Sequence, residues 1–366
     1  MINFVPAQFY SLVYLVAISI VSIFYFFVLA PMSNQTLLDK KKPVAPGLIL
    51  AIILTLYIGL RPVSDFFFGD MWAYYIIYRQ YAAGEAIPEY TTDILFNWIQ
   101  YKMALYFEVE YFFLLICAIY TLCIYFACRR FSEENSTILF LFAASAMGFF
   151  SYATNGIRNG AASSIFILAL SFFYGSKKDK IVFLLLSLAA FMFHSSILVP
   201  ILAVIAAAVI KNPKLMFYVW AAALLLSLLF GDLVTDIITG LGISDRLNDY
   251  IIGSSYLSET INMGFRWDFI LYSALPISLG FYAIFIKKIY TRTYLLLLSV
   301  YTYANAFWLL IIRSSFSNRF AYLSWFIYSI VLAYPLLSLP LWKKNQGLIT
   351  ALFLLGHLAF TIFMFV

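Results

Sequence analysis

Long apolar segments recur along the whole chain, and short polar segments separate them. An α-helix needs about 20 apolar residues to cross the ~30 Å hydrocarbon core of a bilayer, and twelve segments are long enough or nearly so. The pattern therefore predicts membrane helices over residues 7–30, 47–60, 110–128, 137–152, 157–174, 180–194, 196–210, 215–231, 267–286, 293–311, 318–338 and 347–365. The fold class predicted is all-α, a polytopic membrane protein with a single integral membrane domain over residues 1–366.

One further segment, residues 92–107, is only half apolar. Asn97, Gln100 and Lys102 interrupt it, and such side chains are costly inside a bilayer. We expect this segment to form a re-entrant or interfacial helix within a long outer loop, residues 61–109. A second long polar loop is expected over residues 232–266.

Six basic clusters predict the orientation of the chain, because short cytoplasmic loops carry an excess of lysine and arginine. The clusters are Lys40–Lys42, Arg129–Arg130, Lys177–Lys180, Lys211–Lys214, Lys287–Arg292 and Lys343–Lys344. All six fall on one side of the membrane only if residues 92–107 do not cross it. The charges therefore favour twelve spans, with both termini outside the cytoplasm.

The arginines do not follow the lysines. Twelve of the thirteen lysines fall on the predicted cytoplasmic side, whereas seven of the ten arginines fall on the outer side. The outer arginines are Arg61, Arg79, Arg158, Arg246, Arg266, Arg313 and Arg319. A guanidinium group binds phosphate or carboxylate through paired hydrogen bonds, so this distribution indicates an outward-facing anion site. The alternative is that each arginine reaches the interface or pairs with a nearby acid.

Composition narrows the classes of function. The chain has 366 residues, of which 64% are apolar and 11% charged, and a soluble domain would have to expose much of that apolar surface. The three cysteines, Cys117, Cys123 and Cys128, lie on one apolar segment at spacings unlike a metal site. Phosphate-binding-loop, dinucleotide and zinc motifs are absent from the sequence. The sequence predicts no metal, no other cofactor and no nucleic-acid partner.

The first outer loop combines acids with aromatic residues. Asp65 and Asp70 lie among Phe66–Phe68, Tyr74 and Tyr75. Aromatic rings stack on the apolar faces of sugars, and carboxylates accept hydrogen bonds from hydroxyl groups or act as general bases. The alternative is an aromatic belt at the level of the lipid headgroups.

Arg158 and His194 are predicted at similar depth near the outer surface. From Arg158 to Lys177 is about 28 Å of helix, and from Lys180 to His194 about 21 Å. Histidine transfers protons near neutral pH, which makes His194 a candidate base. The alternative is a histidine bonded to a neighbouring helix, and we favour that interpretation for His357.

A third group of polar residues lies at a predicted outer turn between two late helices. Arg313 and Arg319 flank a segment rich in serine, and Tyr322 follows one helical turn after Arg319. These side chains are further candidates for binding an anionic substrate.

Taken together, these segments resemble the EpsG/Wzy-like family of bacterial exopolysaccharide and O-antigen polymerases. The motifs that carry the resemblance are Arg61 followed by Gly69, Asp70, Tyr74 and Tyr75, then "IRNGAAS" with Arg158, "FHSS" with His194, and Arg319 with Tyr322. Asn159 stands where the family usually has glutamine.

The resemblance implies a glycosyltransferase of GT-C-like architecture in the bacterial cytoplasmic (inner) membrane, with its active site facing the periplasm or exterior. It implies that undecaprenyl-diphosphate-linked oligosaccharide repeat units are joined on the outer leaflet and that undecaprenyl diphosphate is released. The implied partners are those lipid-linked glycans and membrane lipid, with a chain-length regulator as a candidate.

On this hypothesis His194 or Asp70 is the base, and Arg158 stabilises the departing diphosphate. Substrate binding falls to Arg61, Asp65, Tyr74, Tyr75, Arg246, Arg313, Arg319 and Tyr322. One alternative is a flippase or exporter of lipid-linked glycans, which should bury charges along a path between the leaflets. A membrane O-acyltransferase is a further alternative, and it would need its histidine to face the cytoplasm.

Overall fold

The computed structural model describes residues 5–39, 42–88, 92–240, 265–313 and 317–365. Every regular element in these ranges is a helix, so the all-α prediction is confirmed. The α-helices are α1 (Tyr10–Leu29), α2 (Asn34–Asp39), α3 (Ala45–Gly59), α4 (Met71–Ala82), α5 (Ile94–Tyr106), α6 (Val109–Phe131), α7 (Ser136–Ala144), α8 (Met147–Thr154), α9 (Ile157–Leu170), α10 (Lys177–Phe193), α11 (Leu198–Val209), α12 (Pro213–Gly240), α13 (Trp267–Phe281), α14 (Arg292–Leu310), α15 (Ser317–Ser338) and α16 (Gln346–Phe365).

Within the described ranges, seven helices are long and apolar enough to cross a membrane, or eight if the bent pair α7–α8 counts as one span. The chain is therefore a polytopic helical membrane protein. The other predicted spans are also helical, but α3, α9 and α11 have only 12 to 15 residues. The total of twelve spans stays a prediction.

The span predicted over residues 137–152 is not one continuous helix. The chain bends by 71° between α7 and α8, because Ala146 is extended there. Neighbouring helices bond to the carbonyl groups that the break leaves without a helical partner. Thr361 Oγ1 of α16 donates to the Ser145 oxygen at 2.8 Å, and the Tyr14 hydroxyl of α1 donates to the Ala144 oxygen. In a bilayer every backbone polar group needs such a partner, so these side chains stabilise the bend.

By contact density the chain divides into two units, residues 1–198 with 333–366 and residues 199–332. In the first unit α6 packs between α3 and α9, and α9 packs on α10. Small residues permit the close α3–α6 contact, where a Cβ atom at Gly59 would come within 2.9 Å of the Leu114 side chain. The hydroxyl groups of Thr55 and Thr121 hydrogen-bond across the same interface.

The second unit has a core of aromatic side chains from α13, α14 and α15. The rings of Tyr272 and Tyr328 stack with their centroids 3.9 Å apart. Trp325 Nε1 donates to the Ser273 hydroxyl at 2.7 Å, which satisfies the indole inside this core. A π-helix, Tyr282–Lys287, continues α13.

Two hydrogen bonds show that the bent pair crosses the first unit in the same direction as α3. At the start of both segments, the Gly47 amide donates to Thr137 Oγ1 at 3.1 Å. At their far ends, Arg61 Nη2 donates to the Thr154 oxygen at 2.9 Å. The pair α7–α8 therefore behaves as one broken span, and not as a loop that returns to its starting side.

The basic clusters of the first unit lie at the end where α3 starts. Arg130 pairs with Asp179 at 3.2 Å, which joins the end of α6 to the start of α10. The Leu37 oxygen accepts hydrogen bonds from both Lys42 Nζ and Asn135 Nδ2. Arg61, by contrast, lies at the opposite end of α3. These basic residues and Arg61 are thus at opposite ends of the same helices.

Candidate functional site

A buried carboxylate, which the sequence analysis did not single out, is the centre of the candidate site. The Asp93 side chain is 0% exposed, and its Oδ2 accepts a hydrogen bond from Arg158 Nη1 at 2.8 Å. Its Oδ1 lies 3.2 Å from His194 Nδ1 and accepts a bond from the Ser195 amide at 3.4 Å. The structure thus brings the predicted pair Arg158 and His194 to one acid. We call Asp93, Arg158, His194 and Tyr74 the Asp93 cluster.

The ends of helices position this acid and its two partners. Asp93 immediately precedes α5, so its negative charge lies at the positive end of that helix. Arg158 is the second residue of α9, where the helix dipole disfavours a cation, and the paired carboxylate offsets that cost. His194 follows the last turn of α10 in an extended conformation.

Arg158 is held by neighbouring side chains and remains partly exposed on the surface of the protein. Its Nε donates to the Tyr74 hydroxyl at 3.2 Å, and its guanidinium lies 5.4 Å from the Tyr74 ring and 5.8 Å from the Phe96 ring. The side chain is 30% exposed. Among the described residues, no hydrogen bond engages Nη2. An anion that approaches this face meets unused N–H donors of a fixed guanidinium.

Tyr74 ties the first outer loop to the cluster. Burial is the main influence on its phenol and raises its pKa, although Arg158 acts in the opposite direction. The phenol therefore stays neutral and accepts the arginine's hydrogen bond. Gln100 Nε2 donates to the Tyr74 backbone oxygen at 2.8 Å. This bond joins α4 to α5, so the half-apolar segment 92–107 forms a wall of the site.

Gly69 and Asp70 are fixed against the turn between α8 and α9. The Asp70 amide donates to Asn155 Oδ1 at 2.8 Å. Gly69 has a φ of +54°, and a Cβ atom there would overlap the Asn155 side chain. The half-buried Asp70 carboxylate acts electrostatically on both Tyr74 and Arg158. The predicted Gly-Asp motif thus lies beside the Asp93 cluster.

Arg61 has a different environment from Arg158. Its side chain is only 2% exposed, and its Nη1 and Nη2 donate to the backbone oxygens of Ile58 and Thr154. The rings of Phe68 and Phe113 lie 5.4 and 5.3 Å from the guanidinium carbon. In this arrangement Arg61 joins the ends of α3 and α8, and substrate binding by Arg61 stays a prediction that this geometry does not support.

The remaining predicted residues are spread over the loop and the second unit. Asp65 is exposed, and the ring of Tyr75 stacks on Trp72 with the centroids 5.1 Å apart. Residues of the second unit are Arg313, which lies 5.7 Å from the ring of Phe265, the half-buried Arg319 and the buried Tyr322. Arg246 lies outside the described residues.

His357 is buried in the first unit and contacts α7. Its Nε2 lies 3.2 Å from the Phe142 backbone oxygen, and its ring stacks on the Phe142 ring. This environment is the one expected of a histidine that bonds to a neighbouring helix. Within the described residues, no group of three or more potential metal ligands occurs.

The sequence contains one signal for Asp93. The acid follows two threonines and directly precedes a helix, and this position is typical of an ordinary helix cap. Its side chain makes no capping bond. An acid at the start of a half-apolar helix therefore has two interpretations, a cap or a site residue, and only the fold shows that it faces two basic residues.

The helices and the Asp93 cluster define the class of this molecule, a polytopic membrane protein with a buried ionic cluster at one end of its helices. The model of the EpsG family matches residues 44–366, so the chain belongs to the EpsG family. Family membership points to polysaccharide biosynthesis of the polymerase type. Neither the comparison with curated proteins nor that with solved structures gave a significant match.

Proposed function

We propose that this protein is a glycosyltransferase that polymerises undecaprenyl-diphosphate-linked oligosaccharide repeat units at the outer face of the bacterial cytoplasmic membrane. The observation that carries the proposal is the Asp93 cluster, in which a partly exposed arginine and a histidine share one buried carboxylate. Membership of the EpsG family supports a polymerase of polysaccharide biosynthesis, and the cluster supplies groups suited to that chemistry.

The proposed reaction transfers the growing glycan from its lipid diphosphate to a second lipid-linked repeat unit. A hydroxyl oxygen of the acceptor sugar forms a bond to the donor's anomeric carbon. The bond from that carbon to the diphosphate oxygen breaks, and its electron pair leaves with undecaprenyl diphosphate. The hydroxyl proton passes to a base on the protein, so the products are a glycan longer by one unit and a free lipid diphosphate.

Arg158 is suited to the diphosphate. Negative charge develops on the leaving oxygen, and fixed donors aimed at developing charge are the largest contribution in many enzymes. Because Tyr74 and Asp93 already hold the guanidinium, little ordering remains to be done when the anion arrives. We propose that Arg158 neutralises the diphosphate in this way, and binding of substrate by Arg313 and Arg319 stays a prediction.

His194 is better placed than Asp70 to act as the base. The imidazole is 19% exposed, and its Nδ1 is engaged by Asp93, which leaves Nε2 for the acceptor hydroxyl. Asp70 lies on the loop whose backbone is bonded to Asn155. We propose that it anchors the acceptor sugar beside the aromatic residues Tyr74 and Tyr75.

The two alternative functions fit the charge distribution less well. Among the side chains whose burial the structure describes, Arg61 and Asp93 are the buried ones of the types Asp, Glu, Lys and Arg. Both lie at one end of the first unit. A flippase would need such groups along a path between the two faces. An O-acyltransferase would need its histidine at the cytoplasmic end, whereas His194 is at the end of α10 opposite Lys177.

A gene deletion tests the proposed function. The surface glycan of the deletion strain, separated on a gel, should carry a single repeat unit in place of a ladder, because repeat units are still made and exported but not joined. Complementation with the wild-type gene should restore the ladder. Loss of all surface glycan, with repeat units retained on the cytoplasmic side, would instead identify an exporter.

A further inference from the structure

We propose that Asp93 is a positioning residue that holds His194 with its hydrogen on Nδ1, so that Nε2 is the proton acceptor. This inference rests on the proposed polymerase activity for its catalytic meaning. The tautomer itself is a property of the resting protein, and it can be measured without any reaction.

The bonds that the Asp93 carboxylate makes to its basic neighbours assign the tautomer. An ionised carboxylate only accepts hydrogen bonds. Its Oδ2 faces Arg158, which can only donate, and its Oδ1 faces the Ser195 amide and His194 Nδ1. Nδ1 must therefore carry the hydrogen in the neutral imidazole, and Nε2 keeps its lone pair.

The charge balance supports an ionised Asp93. A buried carboxylate is stable when it is paired and hydrogen-bonded, and here the guanidinium of Arg158 lies 2.8 Å away. Tyr74 and Asp70 also act electrostatically on Arg158. When the imidazole takes the acceptor's proton, the adjacent carboxylate stabilises the imidazolium that forms.

The second histidine provides an internal reference. His357 Nε2 lies 3.2 Å from the Phe142 backbone oxygen, and a carbonyl oxygen accepts but never donates. His357 must therefore carry its hydrogen on Nε2. The chain contains two histidines, and the structure assigns them opposite tautomers.

The substitution Asp93→Asn is diagnostic because an amide has one accepting and one donating side. Arg158 donates to one side at 2.8 Å, whereas the Ser195 amide donates to the other at a longer 3.4 Å, so the amide oxygen should face Arg158 and the amide nitrogen should face His194. The nitrogen then donates to Nδ1, which forces the histidine hydrogen to Nε2 and removes the proton acceptor. The matched control is Asp179→Asn, which alters an aspartate–arginine pair at the other end of α10.

Solid-state NMR of the full chain in lipid bilayers, with ¹⁵N-labelled histidine, measures both tautomers. Spectra are recorded in alkaline buffer, since the tautomer is a property of the neutral ring. A His357→Gln variant leaves His194 as the sole histidine and assigns the signals. We expect Nδ1–H for His194 and Nε2–H for His357 in the wild type. In Asp93→Asn, His194 should change to Nε2–H while His357 is unaltered.

A polymerisation assay with membranes containing lipid-linked repeat units supplies the catalytic measurement. Asp93→Asn should reduce turnover on the order of 100-fold or more, as expected for a misdirected general base, whereas Asp179→Asn should retain it. An Nε2–H tautomer for wild-type His194 would overturn the inference, as would an unchanged tautomer or full turnover in Asp93→Asn. The wild-type spectrum decides the tautomer even if a variant fails to fold. A wild-type protein that joins no repeat units would instead overturn the proposed function.

Discussion

Arg158 has both a structural role and a proposed role in substrate binding. Its guanidinium bonds Tyr74 and Asp93 and still presents donors outward. A lysine at this position has a single nitrogen and no planar group, so it cannot maintain both bonds and also grip a diphosphate bidentately. Arg158→Lys should therefore lose most polymer at normal protein levels in the membrane, as measured by the length distribution of the surface glycan.

The control for this substitution is Arg130→Lys, which makes the same change in the arginine–aspartate pair at the opposite end of the first unit. It should leave the polymer nearly unchanged, as should Lys177→Gln. Full polymer from Arg158→Lys would show that Arg158 serves only as the structural partner of Asp93.

Kinetic measurements can distinguish the proposed role of His194 as the base from that of Asp70 in binding the acceptor sugar. If His194 takes the proton, His194→Ala should lower turnover on the order of 100-fold while lipid-linked substrate still binds. Asp70→Asn should mainly raise the acceptor concentration needed for half-maximal rate. Steady-state rates over a range of acceptor concentrations give both values. An inactive Asp70→Asn at saturating acceptor, together with an active His194→Ala, would assign the base to Asp70.

The sequence could predict Arg158 and His194 as neighbours. Each helical residue adds about 1.5 Å along the axis, so the number of residues from a basic cluster gives the depth of a side chain in the membrane. It could not predict Asp93 as their shared partner. That relation depends on how the loop 61–109 folds back over the helix ends, and no local spacing encodes such a contact. For Arg61, charge and position favoured substrate contact, whereas the structure buries its guanidinium between two phenylalanine rings.

At the scale of elements, the conformation of the loop before α4 requires a glycine at position 69. Gly69 has a positive φ and faces Asn155, whereas Gly84 has a φ of +97° and open space, with no atom within 4 Å of the point that a Cβ atom would occupy. A positive φ costs an alanine about 1–2 kcal/mol at either site. Gly69→Ala should lower the melting temperature further than Gly84→Ala and should shorten the polymer, because only it displaces Asn155 from the Asp70 amide.

The two glycine variants are compared in detergent by thermal unfolding and in cells by glycan length. Equal melting temperatures and equal polymer for the two would contradict the contact between Gly69 and Asn155. A selective loss of polymer in Gly69→Ala would show that this loop must be placed accurately beside the Asp93 cluster.

The start of α10 should respond to pH. Asp179 forms a capping box with Ser176 and pairs with Arg130, and hydrogen bonds from Ser176 are the main reason that its pKa lies below 3.8. Since the folded pKa is depressed, the stabilisation is complete above that value and is lost as the pH falls through the folded pKa. Melting temperatures of wild type and Asp179→Asn should differ at neutral pH and converge in acid. A difference that persists in acid would contradict this assignment.

The hydrophobic pattern predicted the positions of the helices along the chain better than it predicted bends within them. The segments expected at residues 110–128 and 293–311 correspond closely to α6 and α14. The segment 137–152 was equally apolar, yet it bends at Ser145 and Ala146. That bend depends on side chains of α1 and α16, which are more than a hundred residues away in sequence.

At the scale of the whole molecule, the two ends of the first unit are predicted to face opposite sides of the membrane. Tags at residues 42, 178 and 344 should be cytoplasmic, because they lie in basic clusters. Tags at residue 84, at residue 255 and at the C-terminus should be outside, although residue 255 is outside the described residues. Protease or biotin accessibility in intact cells measures this. A cytoplasmic tag at residue 84 would place the Asp93 cluster on the wrong side for a lipid-linked glycan donor.

The most direct test of the account is a reaction with purified protein in liposomes that contain one undecaprenyl-diphosphate-linked repeat unit isolated from the deletion strain. Wild-type protein should produce a ladder of lengthened glycans and one free undecaprenyl diphosphate for each bond formed, and Arg158→Lys should produce neither. Transfer of the repeat unit across the bilayer without lengthening, or lengthening that Arg158→Lys sustains at the wild-type rate, would contradict it.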